Sequence, residues 1–135
     1  MGRKRVVVAD DFVSQLNAVG DLLRPSFDVV GMAPDGRAAL EKTLRLKPDL
    51  VVLDVTMPVM SGIQTARELM RRRSRARIVF LTVHEDTEIL KACHAAGGLG
   101  YVLKLSMSTD LILAMNEALA GRIFSSSFSP KRDTL

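Results

Sequence analysis

Asp49-Leu-Val-Val-Leu-Asp54 is the stretch whose reading decides the fold. Four consecutive apolar residues stand between two aspartates, with no polar position among them. A short, solidly branched-aliphatic run of this kind marks a strand covered on both faces, as in a parallel sheet flanked by helices. Working outward, comparable runs lie at Arg5–Ala9, Phe27–Ala33, Arg77–Thr82 and Leu99–Leu103, with Asp49–Leu53 as the third of five.

Helical patterns fall between these runs. Phe12, Leu16, Val19 and Leu23 mark one apolar face, Ile63, Ala66, Leu69 and Met70 another, and Leu111, Met115, Ala118 and Leu119 the last. Leu40 with Leu44, and Ile89 with Cys93, mark two weaker ones. Ser61 and Ser108 are the expected N-caps, and Pro25, Pro48 and Gly97 close helices. Five strands alternating with five helices make a doubly wound α/β domain. Right-handed crossovers bring the carboxyl ends of all the strands to one face. No internal repeat is present. Residues 1–121 form the expected domain. The Ser-rich stretch 122–135 reads as a C-terminal tail or the start of a linker.

Composition agrees. Hydrophobic residues make up 47% and charged residues 25%, the balance of a chain with a core rather than a disordered one. A net charge of +4 is too mild to imply nucleic-acid binding. The single cysteine excludes an internal disulfide and fits a reducing compartment. The apolar run Val6–Ala9 is too short for a signal-peptide core, and no stretch is long enough to span a bilayer. A cytoplasmic location without membrane contact is expected.

The polar residues at the strand ends carry the chemistry. Asp10 and Asp11 follow the first strand, Asp54 the third and Lys104 the fifth, while Thr82 ends the fourth. In open α/β sheets ligands bind in the crevice at those ends. In one common order of such sheets, 2-1-3-4-5, the first and third strands are neighbours, so Asp10, Asp11 and Asp54 would converge. Three carboxylates in one crevice repel each other, and a hard divalent cation relieves that repulsion. Mg²⁺ takes oxygen ligands and commonly combines one or two carboxylates with phosphate oxygens. An aspartate so neutralised is a nucleophile toward phosphorus. Lys104 can balance a phosphoryl oxygen and the Thr82 hydroxyl can donate to another. Taken singly, each residue has a plainer role: an aspartate as a helix N-cap, a solvated lysine, an ordinary strand threonine. Five of them at one sheet edge favour a site.

Asp10-Asp11, the segment Leu53-Asp-Val-Thr-Met-Pro-Val-Met-Ser-Gly62, Thr82 and Gly100-Tyr-Val-Leu-Lys104 resemble the receiver domains of two-component response regulators. The resemblance covers about residues 4–121. It implies a flavodoxin/CheY-like parallel sheet of order 2-1-3-4-5. It implies that Asp54 accepts a phosphoryl group from a sensor histidine kinase. Asp11, Asp54 and the backbone carbonyl of Thr56 would bind Mg²⁺, with Asp10 acting largely through a metal-bound water. Lys104 would contact the phosphoryl group, Thr82 would turn toward it and Tyr101 would move inward. A homodimer on phosphorylation is among the partners it allows. Without the resemblance, Tyr101 reads as a packing residue, and so do Met57 and Met60. Pro58 stiffens the loop.

The departures are modest. Leu105 follows Lys104 where many receivers have proline, as in subfamilies joined to LuxR-type helix-turn-helix domains. Gly98 stands where alanine is frequent. Thr56 and His84 lie two residues beyond Asp54 and Thr82, positions that flank the phosphoryl group, and His84 reads as a rim residue. The stretch Ser125-Ser-Ser-Phe-Ser-Pro-Lys-Arg132 resembles the start of a linker to a transcriptional output domain, through which alone DNA would be contacted.

Two rival readings stand beside this one. A phosphatase of the haloacid-dehalogenase type also uses a strand-end aspartate with Mg²⁺, but its second aspartate, two residues on, is here Thr56. A phosphorylation-independent interaction module would keep the fold without the chemistry. Away from the acidic pocket, Arg67, Arg71, Arg72, Arg73, Arg75 and Arg77, with Arg3, Lys4, Arg5, Arg24, Lys47 and Arg122, gather at the opposite pole. Compensation of helix C-terminal dipoles, together with solubility, is the preferred reading of these cations.

Overall fold

The computed structural model describes residues 2–127. The elements run β1 (Arg5–Ala9), α1 (Val13–Leu23), β2 (Asp28–Ala33), α2 (Gly36–Leu46), β3 (Leu50–Leu53), α3 (Gly62–Arg71), β4 (Arg77–Thr82), α4 (Thr87–Ala95), β5 (Gly98–Leu103), α5 (Met107–Leu119) and β6 (Phe124–Ser125). One turn of 3₁₀ helix, Lys104–Ser106, joins β5 to α5. All strand pairs are parallel, in the order β2-β1-β3-β4-β5-β6. The five strands and five helices are those expected, in the expected order.

Successive strand residues face opposite sides of a sheet. In β3, Leu50 and Val52 therefore face α1 and α5, where they pack with Leu16, Val19, Leu23, Leu111 and Met115. Val51 and Leu53 face α2, α3 and α4, packing with Leu40, Ala66, Leu69 and Cys93. Both faces are covered, which is why this run carries no polar position.

Four local expectations change. Phe12 is not on the buried face of α1: it flanks the helix as N-cap and is 66% exposed. Its N–H donates to Asp10 Oδ1 at 3.0 Å, so the chain turns there before the helix meets the sheet. Met70, at the end of α3, is half exposed. Ser108 lies inside α5 and caps nothing, because the 3₁₀ turn already brings the chain into helical conformation before it. By contrast, Ser61 caps α3 in a reciprocal box with Gln64.

The fourth concerns the stretch 122–135. Phe124–Ser125 pair with β5, Gly100 against Phe124 and Tyr101 against Ser125. Ser126 is buried. Its N–H donates to the Tyr101 carbonyl (2.8 Å), and its Oγ accepts from Leu103 N (3.2 Å) and donates to Asp110 Oδ2 (2.6 Å). Without it, β5 would present a row of unpaired backbone groups at the sheet edge. Residues 128–135, most of the expected linker, lie outside the described residues.

Candidate functional site

Asp10 and Asp54 leave adjacent strands together. The Asp54 N–H donates to the Ala9 carbonyl (3.1 Å), and the Asp10 N–H donates to the Ala33 carbonyl (3.1 Å). These two bonds extend the sheet ladder by one step and hold both side chains over its carboxyl edge. Asp10 and Asp54 are buried and Asp11 is exposed. One carboxylate oxygen from each of the three lies within 4.8 Å of the others. Lys104, the first residue past β5, reaches over β4 to complete the cluster. Its Nζ is 2.8 Å from Asp10 Oδ2 and 3.1 Å from Asp54 Oδ2.

Burial pushes the Asp54 carboxyl above the usual aspartate range, and the Asp10 charge adds to this, while Lys104 and the Thr56 N–H work against it. For Lys104, burial disfavours the charge, but hydrogen bonds and attraction to Asp10 and Asp54 prevail and hold the ammonium above its ordinary value. The cluster is therefore a clamped ion network rather than a free acidic pocket. Three carboxylates against one ammonium still leave it net negative, with only oxygen donors facing the crevice. That donor set fits a hard divalent cation such as Mg²⁺.

The loop after β3 is fixed by close backbone approaches. A Cβ on Gly62 would lie 2.0 Å from the Asp54 carbonyl oxygen. Only glycine lets the start of α3 approach this closely, and the Gly62 N–H donates to the Val55 carbonyl at 2.8 Å. From the other side, a Cβ on Gly36 would lie 2.0 Å from the Met60 carbonyl oxygen. Met57 is buried in the core and Met60 packs against it, as expected, whereas Pro58 is exposed.

Thr82, Tyr101 and His84 form a second linked group. The buried Thr82 hydroxyl accepts from the His84 N–H at 3.1 Å. Among the described residues it is hydrogen-bonded to none of the three carboxylates. Tyr101 is fully buried, and its hydroxyl donates to the His84 carbonyl at 2.7 Å. Burial raises the Tyr101 pKa well above the ordinary value, so the phenol keeps its proton. His84 Nε2 lies 3.0 Å from Thr56 Oγ1. That contact was invisible in the sequence, where the two residues stand 28 apart. Only their shared offset, each two residues past a strand-end polar residue, hinted that they border one opening.

Comparison with known proteins agrees with this geometry. Residues 6–116 match the response regulator receiver domain family. The chain is 35% identical over 134 residues to the uncharacterized transcriptional regulatory protein YvfU of Bacillus subtilis, covering 96% of this chain and 67% of that protein. It is 30% identical over 115 residues to the chemotaxis protein CheY of Thermotoga maritima, covering 84% and 96%. Among solved structures, the signal receiver domain of the putative response regulator NarL from Mycobacterium tuberculosis superposes with a TM-score of 0.86 at 33% identity, covering 90% of this chain and all of that one. A LuxR-family two-component response regulator from Aurantimonas superposes with a TM-score of 0.85 at 30% identity, covering 98% and 94%. The chain spans 57% of another relative, the transcriptional regulatory protein PdtaR of Mycobacterium tuberculosis, at 35% identity.

Proposed function

Since the chain belongs to the response regulator receiver domain family, we propose that Asp54 is the phosphoacceptor of a two-component switch whose output is transcription. The family is one of signal receivers rather than classical enzymes. The observation that carries the reading is the ion network. Lys104 Nζ spans Asp10 and Asp54 within 3.1 Å, where the carboxylates of Asp10, Asp11 and Asp54 meet.

In this reading a carboxylate oxygen of Asp54 attacks the phosphorus of a phosphohistidine on a sensor kinase. A P–O bond forms as the P–N bond breaks, and the imidazole leaves. Asp11, Asp54 and the Thr56 carbonyl would hold Mg²⁺, with Asp10 acting largely through a metal-bound water, and the ion would neutralise oxygen charge there. Lys104 gives one hydrogen bond from its shared position to the arriving group. Thr82, whose hydroxyl accepts from the His84 N–H, turns to donate to a phosphoryl oxygen. Because Tyr101 bonds to the carbonyl of that same His84, a shift of this segment is felt by β5 and by β6 beside it. A local charge change then biases a two-state element. The likeness to a LuxR-family response regulator and to a transcriptional regulatory protein supports a transcriptional output, exerted on DNA only through an output domain outside this chain, with pairing of two copies on phosphorylation as part of the same reading.

A haloacid-dehalogenase-type reaction lacks its second aspartate, and the Thr56 hydroxyl at that position is engaged with His84. The test is intact mass after incubation with acetyl phosphate and Mg²⁺. One added phosphoryl group that needs both Asp54 and the metal supports the reading. No addition with metal present, repeated with candidate histidine kinases, favours a phosphorylation-independent interaction module.

A further inference from the structure

At the pole opposite Asp54 the chain forms a groove of about 570 Å³. It lies at the amino ends of the strands, where α2 and α3 finish. Lys4, Lys47, Arg72, Arg73, Arg75 and Arg77 line it, with Asp49 as the one carboxylate in the lining.

Helix-end compensation accounts for only part of this charge. The carbonyls of Leu46 and Ala118 already accept hydrogen bonds from Arg5 Nη1 and Arg77 Nη1, each at 2.7 Å. Arg72 is paired with Glu68 at 3.0 Å. Two helix ends contribute about half a negative charge each, which together with Asp49 and Glu68 leaves an excess of roughly three positive charges. Among the described residues, the side chains of Lys4, Lys47, Arg73 and Arg75 have no hydrogen-bond or ion-pair partner. Arg73 and Lys47 are moreover held at positive φ (59° and 49°), which fixes where their side chains leave the backbone. A second observation concerns the wall. Thr43 lines the groove from α2, is 1% exposed, and its Oγ1 has no hydrogen-bond partner.

Concavity decides the class of ligand. A volume of this size falls in the range of small-molecule sites, roughly 300–1,000 Å³. Leu44, Pro48, Ala76 and Leu119 give it apolar walls beside the cations. A nucleic-acid surface would need only an exposed basic stripe. We propose that this groove binds a small molecule carrying a diphosphate, with Lys4, Lys47, Arg73 and Arg75 as its charge partners. The proposal is independent of the reading of Asp54.

The probes are ADP and inorganic pyrophosphate, titrated calorimetrically into the whole chain at low salt with EDTA, so that the acidic pocket cannot recruit them through metal. The expected result is saturable binding of one ADP per chain, falling about tenfold or more in Arg73→Gln/Arg75→Gln. Arg24→Gln/Arg67→Gln, which removes two cations outside the groove, should bind as the unaltered chain does. Equal affinity for both probes assigns the site to the diphosphate alone, and tighter ADP binding adds the base. Absence of saturation, or equal loss in both double variants, overturns the proposal by showing diffuse electrostatics. Displacement of ADP by short duplex DNA at lower concentration overturns it in favour of a nucleic-acid surface.

Discussion

Tyr101 and His84 are joined by a 2.7 Å hydrogen bond from the phenol hydroxyl to the backbone carbonyl, with the tyrosine ring fully buried. His84 in turn holds Thr82 through its N–H and meets Thr56 through its ring. The segment after β4 is therefore tied to β5 and to the acidic pocket at once. Tyr101→Phe keeps the packing and removes one bond. It should lower unfolding free energy by about 1 kcal/mol, read as a lower urea midpoint with an unchanged slope.

Asp54→Asn tests the electrostatics of the pocket. Burial raises the Asp54 pKa above its unfolded value. A carboxyl so shifted contributes stability fully present below the unfolded pKa, about 3.9, and lost as pH rises through the folded value. At neutral pH without metal it therefore costs stability. The asparagine form should melt higher than the unaltered chain in EDTA, and added Mg²⁺ should narrow the gap. An asparagine form that melts lower in EDTA would contradict this account.

Gly62→Ala places a methyl group where the Asp54 carbonyl oxygen already stands, 2.0 Å away. Backbone must move, because both partners are main chain. A loss of about 3 kcal/mol or more is expected on thermal or urea unfolding. Phosphoryl uptake from acetyl phosphate should fall with it, since the moved carbonyl belongs to the acceptor residue.

Cys93 is 1% exposed at the core face of α4, and burial pushes its thiol up to about 12. Alkylation by iodoacetamide at neutral pH should be slow in the native chain and rapid in urea. The sign of the pH effect follows from the raised value. The folded chain keeps the proton while the unfolded thiol loses it above about 8.5, so stability from this group is lost progressively between there and about 12.

Ser126→Ala removes the hydroxyl that bridges Leu103 N and Asp110 Oδ2. Leu103 N–H is left without that partner beneath β6. A cost of about 1–3 kcal/mol is expected, together with faster hydrogen exchange at Leu103.

The sequence by itself determined the sheet, its helices and the line of polar residues at its carboxyl edge. Val51-Val-Leu53 can be stable only with both faces covered, and the residue after such a strand must emerge at the rim. Asp10, Asp11, Asp54, Thr82 and Lys104 were therefore legible one by one. Periodicity states which side of an element is buried, and nothing about which distant groups meet there. So tertiary structure alone decided that Lys104 clamps Asp10 with Asp54, that Thr56 touches His84, and that the Tyr101 hydroxyl meets the His84 carbonyl. Likewise Phe124–Ser125 are too few to show a period, and they are a strand only because β5 offers them an open edge. The basic residues of the opposite pole read in sequence as helix-end charges. Folding made them a groove, because α2 and α3 both end there, while the Leu46 carbonyl of α2 and the Ala118 carbonyl of α5 had already found other partners.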